Sequence, residues 1–272
     1  MLGCRVDAIT RDEAVSAIVS LAHANAIPNP STADANASSN PNDVNANTNP
    51  DAAALVVTLG VEMVMAAQRD EEFRRVVNGA ALVTCDTIGL LLASRLRGGP
   101  LRERVTGVEL VDSLAARSAA GDGVRLYLLG GGGETALRAA EALRRTYPGV
   151  TIAGARDGYF GPDESDAVVA AIRASGANVL LAGLGSPKQE LWLARYLGAA
   201  GCGVGIGVGG SFDVFAGNVA RAPAFYQRAG LEWAYRLAKE PRRWRRQLAL
   251  PRFALAALGE ALTGRKPGNR QH

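Results

Sequence analysis

The sequence predicts an α/β protein with a largely parallel sheet, and three observations predict it. From residue 53 onward, short apolar runs alternate with stretches of helical periodicity, which is typical of βαβ units. The chain is 48% hydrophobic and contains 32 glycines but few aromatic residues, a composition that suits close packing of helices on strands. Residues 236–272 hold ten basic and two acidic residues, which predicts a basic helical appendage after the sheet.

The composition excludes several functional classes. Cys4, Cys85 and Cys202 are widely spaced and odd in number, which argues against both a disulfide framework and a zinc site. His23 and His272 lie near the chain ends, so a general base must be a carboxylate. Charges come too early for a signal peptide, and no apolar run reaches the ~18 residues of a spanning helix. A zinc site or a histidine-based metal site is therefore not expected, and we predict no cofactor.

The first 52 residues divide into two parts. Residues 5–9 are a strand candidate, and Thr10 with Glu13 forms a capping box that predicts a helix to about His23. Residues 1–24 are thus interpreted as the first strand and helix of the core. Residues 25–52 are rich in Asn, Pro, Ala, Ser and Asp and lack the apolar surface needed for folding, so we predict a disordered insertion.

Residues 53–235 are predicted to form the α/β catalytic core, with a Rossmann-like sheet flanked by helices. The predicted strands are 53–58, 80–84, 124–129, 151–154, 178–183 and 202–208. The predicted helices are 61–77, 87–97, 107–119, 133–146, 163–175, 187–198 and 223–238. In open parallel sheets, ligands bind in the loops after the strands, at the carboxyl edge. The polar and glycine-rich segments of this sequence follow the predicted strands and should meet at that edge.

The segment NVLLAGLGSPKQE, residues 178–190, is the first such segment. A buried strand ends in glycine, and a helix follows in which Ser186 can cap and Pro187 suits the first position. Lys188, Gln189 and Glu190 then place three polar groups at a helix N-terminus, where anions bind. A tight strand-to-helix turn with a solvated polar start explains the segment equally well.

Other strand ends offer further candidates. Asp86 can act as a general base or simply cap the helix that follows. The turn Gly130–Gly133 lets a phosphate approach the backbone, and its G-x-G-x-x-A spacing also fits a dinucleotide fingerprint or a flexible turn. Arg104 precedes a helix start at Gly107, and Asp213 follows a glycine pair and is available to a ribose hydroxyl.

The C-terminal residues 236–272 are predicted to associate with a membrane. Arginines interleave there with Trp244, Leu248, Phe253 and Leu255, a pattern typical of a surface lying on an anionic membrane. Arginine is also the preferred ligand of diphosphate groups. A solvated helix is the simpler alternative. The whole chain has a net charge of +4 and residues 236–272 have +8, so the rest of the chain has −4. Binding of nucleic acid is disfavoured because this larger part is acidic.

Eight segments in this order resemble the WecG/TagA/CpsF family, glycosyltransferase family 26. They are VVTLG (56–60), CDTIG (85–89), RVTG (104–107), GLGSPKQE (183–190), GVGGSFD (207–213), RAP (221–223), LEWAYRL (231–237) and EPRR (240–243). The resemblance implies an inverting, metal-independent transferase that moves a sugar such as N-acetylmannosamine from a UDP donor to a polyprenyl-diphosphate-linked acceptor. It also implies a cytoplasmic protein, peripheral at the inner face of the plasma membrane, that serves cell-surface polysaccharide synthesis.

The resemblance assigns a role to each motif. Asp86 corresponds to the base, and the acceptor diphosphate would be held by Arg221, Arg236, Arg242 and Arg243. The predicted donor site comprises Thr58, Gly60, Thr87, Arg104, Thr106, Gly107, Gly130, Gly131, Gly185, Pro187, Lys188, Gln189, Glu190 and Asp213. Two positions depart from the family pattern: Gly60 replaces an asparagine, and Thr87 replaces a glycine. Both fall in the predicted sugar pocket and so concern which sugar is transferred.

Two alternatives belong to other functional classes. An NAD(P)-dependent oxidoreductase would use the glycine turn, but it leaves the PKQE segment and the basic tail unexplained. A membrane-recruited binding module without catalysis is compatible with the departures at Gly60 and Thr87. The sequence leaves the oligomeric state open, a homo-oligomer included.

Overall fold

A computed structural model of the chain describes residues 1–25, 53–219 and 249–262. The described residues form one six-stranded sheet in which every paired strand runs parallel to its neighbour. The strands are β1 (Ala54–Leu59), β2 (Leu82–Cys85), β3 (Arg125–Gly130), β4 (Thr151–Arg156), β5 (Val179–Gly183) and β6 (Val204–Gly207). Their order across the sheet is β2-β1-β6-β5-β3-β4. The predicted α/β fold is therefore confirmed.

Helices cover both faces of this sheet. They are α1 (Arg11–Asn25), α2 (Val61–Ala67), α3 (Glu71–Gly79), α4 (Ile88–Leu96), α5 (Gly107–Ala119), α6 (Thr135–Thr146), α7 (Ser165–Ser175), α8 (Lys188–Tyr196), α9 (Ser211–Phe215) and α10 (Ala249–Leu262). α1, α5, α6 and α9 pack on one face. The other face is covered by α2, α3, α4 and α10 at one end and by α7 and α8 at the other.

Burial on both faces explains why the strands read as continuous apolar runs. In β1, Val56 packs with the first group of helices and Val57 with the second, and neither side chain is exposed. In β5, Leu180 and Leu181 divide between the two faces in the same way. A parallel strand covered by helices on both sides has no polar face, so alternation disappears from the sequence.

The strand predicted at residues 5–9 is not present. The N–H of Asp7 donates to the carbonyl of Val83 in β2, while the Asp7 carboxylate accepts the Val83 N–H over 2.9 Å. A side chain thus takes the place of the backbone acceptor that a regular strand would supply. The segment covers the free edge of β2 without extending the sheet, which limits unwanted pairing at that edge.

The single helix predicted at 61–77 is also wrong, because Asp70 divides it. Its carboxylate accepts the N–H of Phe73 over 2.9 Å, so Asp70 is the N-cap of a second helix, α3. A short 3-10 turn, Pro162–Glu164, precedes α7, and α9 was not predicted. The capping box of Thr10 and Glu13 at the start of α1 is confirmed by hydrogen bonds of 2.8 and 3.4 Å.

The appendage is described only in part. The predicted insertion from residue 26 onward, the predicted helix 223–238 and the arginine-rich residues before 249 lie outside the described residues. α10 contacts α2 and α4. Phe253 is buried in this contact, so its predicted position on a membrane surface is wrong: the ring fills the core instead, where it removes more apolar area from water.

Candidate active site

Two neighbouring strands end in loops that leave the sheet in opposite directions. β3 leads to β4 on one side, whereas β5 leads to β6 on the other. In open parallel sheets, such a reversal creates a crevice at the carboxyl ends of the strands, and ligands bind there. The loops after β3 and β5 are the glycine-rich segments that the sequence singled out.

Backbone from three loops meets in this crevice. The N–H of Gly131 donates to the carbonyl of Gly183 over 3.1 Å. A Cβ added to Gly130 would collide with the same carbonyl, and one added to Gly183 would lie 2.8 Å from the carbonyl oxygen of Gly209. We call the place where Gly130, Gly183 and Gly209 meet the glycine crevice. Its walls are backbone, which a ligand can approach closely.

Asp213 joins the glycine crevice through a short hydrogen-bond chain. The side-chain amide of Asn218 donates to the Asp213 carboxylate and to the hydroxyl of Thr135, each over 3.1 Å. Thr135 in turn donates to the carbonyl of Gly132 over 2.7 Å. The predicted carboxylate therefore lies beside the first turn of α6, and a helix N-terminus favours an anion.

Tyr159 is a candidate that sequence reasoning missed. Its side chain is 82% exposed, and its ring lies 3.1 Å from the point where a Cβ of Gly132 would be. The N–H of Gly158 donates to the carbonyl of Gly131 over 2.9 Å and ties this loop to the glycine turn. An exposed aromatic ring beside a glycine turn at the carboxyl edge can stack on a base. The Asp157-Gly158-Tyr159 turn after β4 was the available signal.

A second group of predicted residues lies at the ends of β1 and β2. Asp86 directly follows β2, and its N–H donates to the carbonyl of Leu59 over 2.9 Å. Gly60 has an extended backbone, with φ at −106°, that any residue can adopt. A Cβ there would lie 3.4 Å from Cγ2 of Thr87. The two positions that depart from the family pattern are therefore neighbours, and a Cβ at position 60 would be in van der Waals contact with Thr87.

Thr87 occupies the N-cap position of α4 but does not cap it. Its backbone has the extended conformation of an N-cap, yet its hydroxyl makes no capping hydrogen bond to the helix. Oγ1 is buried and has no hydrogen-bond partner among the residues that the structure describes. A threonine at an N-cap usually accepts a hydrogen bond from a backbone N–H of the helix, and Thr87 does not. Such exceptions to local sequence preferences concentrate at functional sites.

The charges around Asp86 act on its neighbour Cys85. Burial raises the pKa of the Cys85 thiol to about 12, the negative charge of Asp86 adds to this rise, and the positive charge of Arg104 opposes it. Cys85 is thus a protonated, packed side chain and not a nucleophile. The charges of Asp86 and Arg104 therefore both act at Cys85.

Several predicted donor-site residues have structural partners. The hydroxyl of Thr106 donates to Glu109 over 2.8 Å in the capping box of α5. A Cβ added to Gly107 would lie 3.0 Å from Oγ of Ser211, so Gly107 lets α5 approach the loop after β6. The hydroxyl of Thr58 is buried and donates to the carbonyl of Gly207 over 2.7 Å. These side chains support the carboxyl edge from within.

The PKQE segment divides into an exposed and a buried half. Pro187 and Lys188 are exposed, and the Lys188 ammonium lies 5.1 Å from the centre of the Phe160 ring. Gln189 and Glu190 are buried in the first turn of α8. Gly185, with φ at +80°, supplies the left-handed turn before them. Only part of the predicted polar cluster therefore faces the surface.

The carboxyl edge thus carries two groups of predicted residues. Gly60, Asp86 and Thr87 lie after β1 and β2, whereas Gly130, Gly131, Gly185 and Asp213 lie near the glycine crevice. Four strand spacings separate β2 from β3, or roughly 19 Å along the edge. A ligand that reaches from Asp86 after β2 to the turn after β3 must be elongated. Arg221, Arg236, Arg242 and Arg243 lie outside the described residues, so the structure does not place them.

The described residues offer neither a metal cluster nor a membrane-spanning helix. No group of three or more His, Cys, Asp or Glu side chains that could hold a metal ion is found within residues 1–25, 53–219 and 249–262. Within the same ranges, none of the helices combines the length and hydropathy needed to cross a bilayer.

The fold and this edge define an α/β protein with a candidate ligand site across the carboxyl ends of its strands. Comparison with known proteins makes the class specific. Residues 40–267 match the model of the glycosyl transferase WecG/TagA/CpsF family. The chain is also similar to an N-acetylglucosaminyldiphosphoundecaprenol N-acetyl-beta-D-mannosaminyltransferase of Bacillus spizizenii, with 36% identity over 214 residues, which is 79% of this chain and 82% of the relative.

The chain belongs to the WecG/TagA/CpsF family, and the resemblance predicted from its motifs is confirmed. It is a glycosyltransferase of a family that serves cell-surface polysaccharide synthesis. This finding favours transfer chemistry over the two alternatives that the sequence left open, the oxidoreductase and the module without catalysis.

Proposed function

We propose that the chain is an inverting glycosyltransferase that moves N-acetylmannosamine, or a closely similar sugar, from UDP to a polyprenyl-diphosphate-linked acceptor. The observation that carries the proposal is the division of the carboxyl edge, with a carboxylate at one end and a backbone-lined crevice at the other. A nucleotide sugar is elongated and divided in the same way. The activity in the name of the Bacillus relative supports the choice of sugar and acceptor.

The nucleotide half of the donor would occupy the glycine crevice. Backbone N–H groups of the turn after β3 and the first turn of α6 would receive the diphosphate. Tyr159 is exposed beside this turn and would stack on the uracil base. Asp213 would accept a hydrogen bond from a uridine hydroxyl or ring N–H, because its carboxylate lies beside the same turn.

The sugar half would then reach toward Asp86. The acceptor hydroxyl attacks the anomeric carbon of the donor while Asp86 removes its proton. The new C–O bond forms as the bond to the diphosphate breaks, and UDP leaves with the electron pair. Because attack comes from the face opposite the leaving group, the configuration inverts. N–H groups and arginines stabilise the charge that develops on UDP, without a metal.

The lipid-linked acceptor requires a membrane-facing surface, and α4 and α10 suggest where it lies. Leu92 and Leu96 on α4 and Leu255 and Leu258 on α10 are exposed, with Leu96 at 78% and Leu255 at 72%. The two helices are in contact. Arg95 and Arg252 are exposed on the same two helices. Exposed leucines with nearby arginines suit the surface of an anionic bilayer.

We infer that this α4–α10 surface, together with the basic residues 236–272, docks on the inner face of the plasma membrane. The proposed acceptor ligands Arg221, Arg236, Arg242 and Arg243 would then meet the lipid diphosphate. A cytoplasmic, peripherally bound enzyme follows from this arrangement.

The donor is tested first by titrating the purified protein with UDP, and with NADP in parallel, while thermal stability is followed in the presence of a chelator. We expect a rise in melting temperature with UDP alone, because a ligand that binds only the folded state stabilises it. A rise with NADP alone would refute the transferase. Transfer to a polyprenyl-diphosphate-linked N-acetylglucosamine, with anomeric configuration read by NMR, tests the rest.

Membrane docking is tested by flotation with vesicles that contain an anionic phospholipid. We expect the Leu92→Ser/Leu96→Ser variant to float markedly less than the parent. Leu137→Ser is the matched control, since Leu137 is similarly exposed but lies on α6, on the opposite face of the sheet. Equal loss for both variants would show that the α4–α10 surface has no special part.

A further inference from the structure

The first turn of α8 contains a carboxyl group with an unusual environment. Glu190 has no exposed surface, and its Oε1 accepts a hydrogen bond from the side-chain amide of Gln189 over 2.7 Å. Its Oε2 has no hydrogen-bond partner within the part of the chain that the structure describes. Burial raises the pKa of Glu190, although the Gln189 and Ser186 side chains oppose the rise. The carboxyl group of Glu190 has no role in the proposed mechanism.

Glu190 decides which way the neighbouring amide points. Nε2 of Gln189 donates to Glu190, and Oε1 of Gln189 accepts the N–H of Gly209 over 3.2 Å. If the amide were reversed, Nε2 would face the Gly209 N–H, donor against donor, while Oε1 faced an acceptor. The side-chain carbonyl of Gln189 is therefore directed at the N–H of Gly209, because Glu190 accepts the hydrogen bond from the amide nitrogen on the other side.

The chain leaves space for this arrangement. A Cβ added to Gly207 would lie 2.7 Å from Nε2 of Gln189 and 2.8 Å from Oε1 of Glu190. Gly207 is not among the residues with positive φ. A glycine is therefore needed at this position because a side chain would not fit, and not because the backbone conformation requires one. Gly207 also accepts the hydroxyl of Thr58 on its carbonyl, which ties β1 to the same network.

The far end of the network is the glycine crevice. Gly209 has φ at +53°, and its carbonyl oxygen approaches the place where Gly183 would carry a Cβ. Gly209 leads through one further residue into α9, which carries Asp213. A turn fixed at its N–H by Gln189 therefore defines both a wall of the crevice and the position of Asp213.

We propose that Glu190 is a positioning residue: it orients the Gln189 side-chain amide, which holds the Gly209 turn in the form that binds the donor. This rests on the proposed function for the identity of the donor, but not for the role of the network. Glu190 was predicted to contact the donor itself. With no exposed surface, it acts instead through Gln189.

A double-mutant cycle tests whether Glu190 acts through Gln189. Glu190→Met and Gln189→Met keep the length of each side chain and remove its polar atoms. Losing one oriented hydrogen bond should raise the KM for the donor roughly tenfold, with a smaller effect on kcat. In the Gln189→Met background, Glu190→Met should add little further, because coupled residues are not additive. Full additivity of the two effects would overturn the proposal.

The conservative variant Glu190→Gln separates positioning from charge. Its side-chain oxygen can still accept from Gln189, so we expect a donor KM close to that of the parent even if the melting temperature falls. A merely structural role would lower the melting temperature of Glu190→Met without changing KM in the folded protein. A loss in Glu190→Gln as large as in Glu190→Met would show that a carboxylate itself is needed and would overturn the proposal.

Hydrogen exchange at the Gly209 amide needs no substrate, so it distinguishes failure of this proposal from failure of the proposed function. In the parent protein, this N–H should be protected, and in Glu190→Met and Gln189→Met it should exchange at least tenfold faster, as a lost hydrogen bond of ordinary strength implies. Unchanged protection in Glu190→Met overturns the proposal whatever the donor proves to be. Absence of UDP binding with the expected exchange result would refute only the function.

Discussion

The two ends of the carboxyl edge differ in whether backbone or side chains form their surface. At the glycine crevice, the surface is backbone from three loops, and a single added Cβ at Gly130 or Gly183 meets a carbonyl group. At the ends of β1 and β2, the surface is made of side chains, those of Asp86, Thr87 and Arg104. Backbone N–H groups suit a diphosphate that many enzymes share, whereas proton transfer and sugar selection need side chains that can differ between relatives.

The difference explains where this sequence departs from its family. Gly60 and Thr87, the two departures, both lie at the side-chain end and are neighbours. A Cβ at 60 would lie 3.4 Å from the methyl group of Thr87, so an exchange at one position bears on the other. The crevice allows no such exchange, because its glycines lie against backbone that cannot move aside. Each of the following predictions tests this contrast.

The largest effect is expected at Asp86. Asp86→Asn should lower kcat by about 10²–10⁴, since a general base contributes that much, while UDP affinity measured by calorimetry stays unchanged. Asp166→Asn is the matched control, because Asp166 is exposed on α7. If Asp86→Asn instead abolished UDP binding and left kcat intact, the division of the edge into two ends would be wrong.

The next effect is expected at Gly183. A Cβ at this position would lie 2.8 Å from the Gly209 carbonyl, so Gly183→Ala should cost about 1–3 kcal/mol of stability through overpacking and should weaken UDP binding. Gly79→Ala is the control, because nothing lies within 4 Å of its added Cβ. Denaturant unfolding and calorimetry measure the two quantities. An alanine at 183 that binds UDP normally would show that the crevice is not the nucleotide site.

A smaller effect of opposite sign is expected at Thr87. Thr87→Val keeps the shape and removes a buried hydroxyl that has no partner in the described residues, so stability should rise by about 1 kcal/mol. Thr87→Ser keeps the hydroxyl and removes the methyl group that faces Gly60, and it should not be stabilising. Urea unfolding of both variants decides this. A Thr87→Val variant that is destabilised would mean that Oγ1 has a partner in solution.

The smallest effect is expected at the cysteines, which report on packing of the core. Cys4, Cys85 and Cys202 are buried, and burial raises the pKa of Cys85 and of Cys202 to about 12. Since the thiolate is the reactive form, the folded protein should not react with a thiol reagent at pH 8, and all three should react in denaturant. Rapid labelling of Cys85 in the folded state would indicate that the Asp86 end opens.

Much of the fold could be predicted from the sequence because its signals are local. Parallel strands covered on both faces appear as apolar runs, and Thr10 with Glu13 marks a helix start without reference to anything distant. The strand at 5–9 and the unbroken helix at 61–77 were wrong because Asp7 and Asp70 use their carboxylates on backbone N–H groups. Hydrophobic alternation and periodicity carry no information about side chains that take the place of backbone hydrogen-bond acceptors.

The candidate site was predictable in its members but not in their roles. Motif order and strand ends brought Asp86, Gly130 and Asp213 to one edge. Whether a polar residue faces solvent or the core depends on contacts from other parts of the chain, so the burial of Gln189 and Glu190 could not be predicted. Tyr159 was missed for the same reason, since exposure beside Gly132 depends on how two loops meet.

By itself, then, the sequence determined the α/β class, the positions of the six sheet strands, the carboxyl edge as the candidate site and the family. Only the tertiary structure decided the strand order, the three-glycine crevice, the contact between Gly60 and Thr87, and the orientation of Gln189 by Glu190. The physical reason is the separation along the chain over which each interaction acts. Hydrophobic periodicity and capping act over a few residues, whereas strand order and close backbone approach are set by packing between segments far apart in the chain.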